Sequence, residues 1–200
     1  MKYKFLSWDD IERHCENVAN KVKKSKWRPD VVIALSRGGL VPARIICDIL
    51  VIKDLISLKV NHWGITATKD QKAELAYVAR FDLSGKNVLV VDDITDTGES
   101  LKTSVAFVKE QMHPKDIKTA TLFHISHSTI KPDFYDVEIP GSEWTWIVWP
   151  WNFHEDMKNI FEKENFDHDR SKIPEFVENF NKKYSANLTR QMVEHVLSFI

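Results

Sequence analysis

The sequence predicts an α/β protein: a mainly parallel, Rossmann-like sheet flanked by helices, with a small helical appendage at the C-terminus. Two observations carry the sheet. Short continuous apolar runs at residues 31–35 and 88–91 suit strands covered on both faces. Each run leads into a glycine-containing loop and then a helical pattern, and this repeated alternation is the signature of parallel α/β folds. A third observation carries the appendage: after residue 153 the pattern becomes charged and then purely helical. The expected division is therefore 1–153 and 154–200.

Composition bounds the rest. The 200 residues are 43% hydrophobic and 28% charged, enough for one domain with its own core. Lys and Arg (28) balance Asp and Glu (29), giving a net charge of −1, whereas a chain that tracks nucleic acid by charge is more basic. Cys15 and Cys47 form no CxxC pattern and read as buried thiols in a reducing compartment. Neither a secretory leader nor an apolar stretch of membrane-spanning length is visible, so the expected location is the cytoplasm.

Taken in order, Ser7 and Asp10 resemble a capping box. Ile11, Cys15, Val18 and Val22 then recur at helical spacing, predicting a helix over 8–25 that Arg28 and Pro29 end. Residues 31–35 form a strand, followed by Ser36-Arg37-Gly38-Gly39 and a helix over 40–50 with Pro42 in its first turn. Residues 55–60 read as a strand. Residues 61–80 read as a long loop or weak hairpin, the kind of segment that closes over a site. After a turn at 82–85 comes the strand 88–91, then Asp92 to Ser100, then a helix with Leu101, Val105 and Val108 on one face. Residues 119–125 supply a further strand. The cluster His154, Glu155, Asp156, Asp167, His168 and Asp169 matches no metal-ligand spacing, and 154–172 is expected to be a solvated linker. Two amphipathic helices follow, one with Phe176, Val177, Phe180 and Tyr184, the other with Leu188, Met192, Val193, Val196 and Leu197.

The chemistry concentrates past the ends of the two strands, where open α/β sheets bind ligands. Residues 95–100 form a turn entering a helix, which aims backbone N–H groups at an anion at the positive end of the helix dipole. Gly98 permits close approach, and Thr97 and Ser100 add hydroxyl donors. No Gly-Lys-Ser/Thr follows, so this is no Walker loop. Asp92 and Asp93 would repel a phosphate at contact, but they suit ribose hydroxyls and Mg²⁺. Together these features describe a site for a ribose 5-phosphate.

The run Val88-Leu89-Val90-Val91-Asp92-Asp93-Ile94-Thr95-Asp96-Thr97-Gly98 resembles the phosphoribosyl-pyrophosphate (PRPP) signature of type I phosphoribosyltransferases. Ser36-Arg37-Gly38-Gly39-Leu40-Val41-Pro42 is similar to the pyrophosphate loop of that family's xanthine-guanine members, as are Trp8-Asp9 and Trp146-Ile147 followed by Pro150-Trp151. The likeness runs in order over residues 5–152. It implies a Mg²⁺-dependent purine phosphoribosyltransferase acting on PRPP and a purine base, with pyrophosphate and a purine nucleotide as products. Asp92, Asp93, Thr95, Asp96, Thr97, Gly98, Glu99 and Ser100 would bind PRPP, with Asp93 also placing the metal. Asp96 would act as acid or base near purine N7. Ser36, Arg37 and Gly38 would bind pyrophosphate, through a cis peptide before Arg37, and Arg37 would stabilise the leaving charge. The family also implies a homodimer, while the balanced charge and the lack of a spanning stretch argue against nucleic-acid and membrane partners.

For the base, the resemblance assigns Trp146 to stacking and Ile147 to backbone hydrogen bonds, whereas Trp144 and Trp149 read as core. Enzymes for 6-oxopurines carry a lysine that donates to O6; its position here falls on Ile125, which favours adenine, with hypoxanthine, guanine or xanthine as the alternative. His124, Ser126 or His127 offer other donors. A PRPP-sensing regulator that binds nucleic acid is a second alternative, which the neutral charge disfavours.

Overall fold

The computed structural model describes residues 2–63, 72–76 and 81–200. They form two compact units: the N-terminal residues through Asp10 with Ser142–Ile200, and Ile11–Gly141. This differs from a division at 153, because the first strand of the chain pairs with a strand late in it.

The larger unit holds β2 (Val31–Ser36), α2 (Leu40–Leu50), β3 (Asp54–Trp63), β4 (Lys72–Ala76), β5 (Asn87–Thr95), α3 (Glu99–Met112), β6 (Asp116–Ile125) and β7 (Phe134–Ile139), together with most of α1 (Trp8–Lys24). Its six-stranded sheet has the order β4-β3-β2-β5-β6-β7, parallel except for the β3–β4 hairpin. The hairpin reading of residues 61–80 is met where β3 pairs with β4. The closing role proposed for that segment lies largely on residues 64–71 and 77–80, outside the described residues.

Sequence explains these elements. Ser7 and Asp10 cap α1 reciprocally: Ser7 N–H and Oγ donate to Asp10 Oδ2, and Asp10 N–H donates to Ser7 Oγ at 3.1 Å. The apolar runs of β2 and β5 are fully covered, with Ile33, Ala34 and residues 88–91 all at 0% exposure. The strand order reverses direction between these two strands: from β2 the chain adds β3 on one side, and from β5 it adds β6 and β7 on the other. A crevice therefore opens between the carboxyl ends of β2 and β5, the switch point where such sheets take ligands.

The smaller unit is built on a parallel ribbon of β1 (Lys2–Phe5) and β8 (Thr145–Val148), with Tyr3 opposite Trp146 and Phe5 opposite Val148. One face of the ribbon packs on α4 (Phe153–Lys163), α5 (Ile173–Tyr184) and α6 (Arg190–Leu197) around Tyr3, Phe5, Phe161, Phe180 and Val196. The expectation of a solvated linker over 154–172 is corrected here. Residues of α4 recur at helical spacing, so Met157, Ile160 and Phe161 are buried together with Asp156, while the other charges of the helix take the outer face. No helix among the described residues is long and apolar enough to cross a membrane.

Candidate active site

The crevice between β2 and β5 is a cleft of about 320 Å³ lined by Ser36, Arg37, Lys59, Asp92, Asp93, Asp96, Thr97, Gly98 and Ser100, among others. Sequence reasoning assigned all of these except Lys59. That lysine sits at the register partner of Ser36 on the neighbouring strand, so its cation reaches the same wall. Its signal was only a lysine within an apolar strand.

On the β5 side the chain enters α3 through Gly98, which holds φ at 89°, a conformation that favours glycine. A Cβ there would also come within 2.5 Å of Ile130 Cγ2. The N-cap Gly98 offers α3 no side chain, and only a long 3.4 Å bond runs from Glu99 N–H to Thr97 Oγ1. The first-turn N–H groups of α3 are thus suited to an anionic ligand. Thr97 is exposed and Ser100 half-buried at this end. Of the expected PRPP residues, Thr95 lines the cleft but turns its hydroxyl into the sheet, and Glu99 lies elsewhere. The Thr95 side chain is buried and its hydroxyl donates to Thr121 Oγ1 at 3.2 Å, so the sheet uses it. Glu99 does not line the cleft and instead faces a groove along α3.

On the β2 side, the peptide between Ser36 and Arg37 is cis. Ser36 Oγ hydrogen-bonds Ser57 Oγ, and Arg37 is exposed at the cleft. Gly38 lies directly against Asp93.

Asp92 and Asp93 are half-buried side by side. Burial raises both carboxyls, and the Asp93 charge raises Asp92 further; Asp93 reaches about 6. Each Oδ1 accepts from the next backbone N–H, Asp93 N at 3.0 Å and Ile94 N at 2.8 Å. Two adjacent carboxylates, facing a cleft that Arg37 and Lys59 also line, fit one divalent cation together with phosphate oxygens. Asp96 is the third acid, and His127 Nε2 lies 2.9 Å from its Oδ1.

Residues 4–158 match the family described as the phosphoribosyl transferase domain. The chain is a phosphoribosyltransferase family member. A hypoxanthine-guanine phosphoribosyltransferase of Schizosaccharomyces pombe is 25% identical over 181 residues, 74% of this chain and 87% of the relative. The crystal structure of a purine phosphoribosyltransferase from Pyrococcus horikoshii Ot3 is 32% identical with a TM-score of 0.64, covering 76% of this chain and 94% of that one. A Helicobacter pylori xanthine-guanine-hypoxanthine phosphoribosyltransferase shares the fold, with a TM-score of 0.63 at 20% identity over 80% of this chain and 99% of that one.

The residues expected to read the base in this phosphoribosyltransferase fall in different surroundings. Ile125 is fully buried in β6, and its side chain has no polar atom to offer. The position of the missing lysine is therefore simply core. Of the neighbouring donors, His124 is buried against Tyr135, with ring centroids 5.2 Å apart, and burial lowers its pKa. Ser126 Oγ accepts from Gly141 N–H at 2.9 Å, and His127 is exposed. In the smaller unit, Trp146 is half-buried, packs edge-on to Trp144 and donates its indole N–H to Asp156 Oδ1 at 3.2 Å. Ile147 and Trp149 are buried, and Trp149 stacks on Trp151 with ring centroids 5.0 Å apart.

Proposed function

We propose that this phosphoribosyltransferase transfers the phosphoribosyl group of PRPP to a 6-oxopurine base, releasing pyrophosphate and a purine nucleotide. The observation that carries the reading is the cleft at the sheet's switch point. There Ser36, Arg37, the Asp92–Asp93 pair, Asp96 and the start of α3 line one volume sized for a sugar phosphate. The adenine preference is set aside. It rested on Ile125 replacing a donor, and the exposed hydroxyl of Ser126 stands one position further on. The Schizosaccharomyces pombe relative is a hypoxanthine-guanine enzyme.

In this reading Thr97, Ser100 and the first N–H groups of α3 hold the 5-phosphate, which fixes C1 of the ribose. Asp92 and Asp93 bind the ribose hydroxyls and would hold Mg²⁺. When bound, that ion neutralises charge on the departing pyrophosphate. Arg37, the Ser36–Gly38 amides and Lys59 take up the same developing charge. The bond from C1 to the pyrophosphate oxygen breaks, the bond from C1 to the purine nitrogen forms, and Asp96 takes the proton that the base gives up. Trp146 and Ile147 are the proposed base-binding pair, and a cytoplasmic homodimer is part of the same reading.

A base panel tests it: hypoxanthine, guanine, xanthine, adenine and uracil are mixed with PRPP, with and without Mg²⁺, and pyrophosphate release is followed. Turnover of a 6-oxopurine that needs Mg²⁺ is the expected result. Turnover of adenine alone overturns the base assignment, and no release with any base overturns the activity.

A further inference from the structure

After β6, residues 127–130 brace the phosphate loop along four consecutive residues. Thr129 N–H and Oγ1 donate to Thr97 O at 3.1 and 2.9 Å. Ser128 Oγ and Ile130 Cγ2 occupy the space that a Cβ on Gly98 would need, at 2.7 and 2.5 Å from it. The turn is closed within itself by Ser128 N–H to Ile125 O at 3.0 Å and by Ser128 Oγ to Ile130 O at 2.9 Å. His127 is the remaining member of the run, and its Nε2 meets Asp96 Oδ1 at 2.9 Å.

Two features give this imidazole a defined direction. Its far side rests on Gly141, where an added Cβ would come within 2.9 Å of Nδ1. Its near side faces an acceptor-only carboxylate, so the tautomer that makes this bond carries the proton on Nε2. The bond is not needed to anchor the turn, which Ser128 and Thr129 already fasten. It also contributes little to stability, since His127 and Asp96 side chains are 48% and 41% exposed. What it does is fix the rotamer of the one acid of the cleft that has no neighbouring carboxylate to constrain it.

We infer that His127 is a positioning residue for proton removal from the base: Nε2–H holds Asp96 Oδ1 and leaves Oδ2 to meet the base. This rests on the reading of Asp96 given above. The proton passes from the base nitrogen to the Asp96 carboxylate; His127 neither gains nor loses one. The arrangement follows the general rule that an acid or base acts efficiently when a second group orients it.

The test compares the full chain with His127→Ala, His127→Gln and Thr129→Val, measuring kcat and both KM values with hypoxanthine, PRPP and Mg²⁺. His127→Ala is expected to lower kcat by ~10- to 100-fold with the KM for PRPP nearly unchanged, as for a misplaced catalytic group. His127→Gln, whose amide can donate from a similar reach, restores most of that loss. Thr129→Val instead raises the KM for PRPP, because it loosens the phosphate loop. Thermal melts of the three variants confirm that they are folded. An unchanged kcat in His127→Ala, a loss confined to the KM for PRPP, or a glutamine variant as slow as alanine overturns the inference. An inactive wild type overturns the activity and this inference together, whereas an active wild type with an indifferent His127→Ala overturns this inference alone.

Discussion

Gly38 and Asp93 meet so closely that a Cβ on the glycine would stand 2.2 Å from Asp93 Oδ2 and 2.5 Å from its Cγ. The Ser36–Gly38 loop and the acid pair are thus one surface, made continuous by a missing side chain. Gly38→Ala must push Asp93 aside or shift the loop. Asp93 is half-buried beside Asp92, which limits where it can go. The expected outcome is a loss of at least about 10-fold in kcat/KM for PRPP, roughly the effect of 1.4 kcal/mol in the transition state. Steady-state kinetics check it, and wild-type kcat/KM would show that the two loops move independently.

Lys59, in the middle of β3, and Arg37, just past the end of β2, both line the cleft. If both take up the charge of pyrophosphate, each alanine variant binds pyrophosphate more weakly, by about 10-fold or more for the guanidinium, which can donate in two parallel bonds, and less for the point charge of lysine. Calorimetric titration of pyrophosphate with Mg²⁺ gives the comparison. An unaltered affinity in Lys59→Ala would remove that residue from the site.

The acid pair also predicts a pH dependence of stability. Burial lifts Asp93 to about 6, above its value in the unfolded chain. A carboxyl raised in this way gives its full stability below the unfolded pKa and loses it as pH climbs through the folded value. Ligand-free protein should therefore lose stability between about pH 4 and pH 7 through this group. Asp93→Asn keeps an acceptor for Ile94 N–H but removes the charge. At pH 7.5 it is expected to melt higher than wild type, by up to about 2 kcal/mol in stability, while losing activity. At pH 4.5 the difference should shrink. A gain that is larger at the acid end would reject the assignment.

Much of this site was legible in the sequence because its logic is local. An apolar run, two acids and a Thr-Gly turn lie within eleven residues, and their chemistry follows from adjacency; Asp92, Asp93, Asp96, Thr97 and Gly98 accordingly line the cleft. Contributions from across the sheet were not legible. Lys59 reaches the cleft only through the β2–β3 register, and His127 reaches Asp96 only because β6 lies beside β5. Thr95 was legible as a lining residue but not in its orientation: it borders the cleft, yet strand alternation turns its hydroxyl inward to Thr121. The smaller unit was half legible. Two helical stripes were visible, but the charge on 154–163 concealed the spacing of Met157, Ile160 and Phe161. The four-residue β1 gave no sequence signal that it would pair with residues 145–148.

Asp156 lies in that concealed helix and offers the last test. It is 4% exposed, and Oδ1 accepts the Trp146 indole N–H at 3.2 Å. Burial raises its pKa more than Trp146 and Asn152 lower it. Asp156→Asn retains an acceptor for the indole and removes the buried charge, so it should leave the protein as stable or slightly more stable at pH 8, with the difference vanishing at low pH where the acid is neutral. Asp156→Ala leaves the indole N–H without its acceptor and should destabilise by about 1–3 kcal/mol, since a half-buried donor loses its partner. Tryptophan emission should report the same split, because Trp146 keeps its polar contact in the first variant and loses it in the second. Chemical denaturation at pH 5 and pH 8 checks both. Equal destabilisation by Asn and Ala would mean that the negative charge itself, and not an acceptor at Oδ1, holds Trp146 against the helical core.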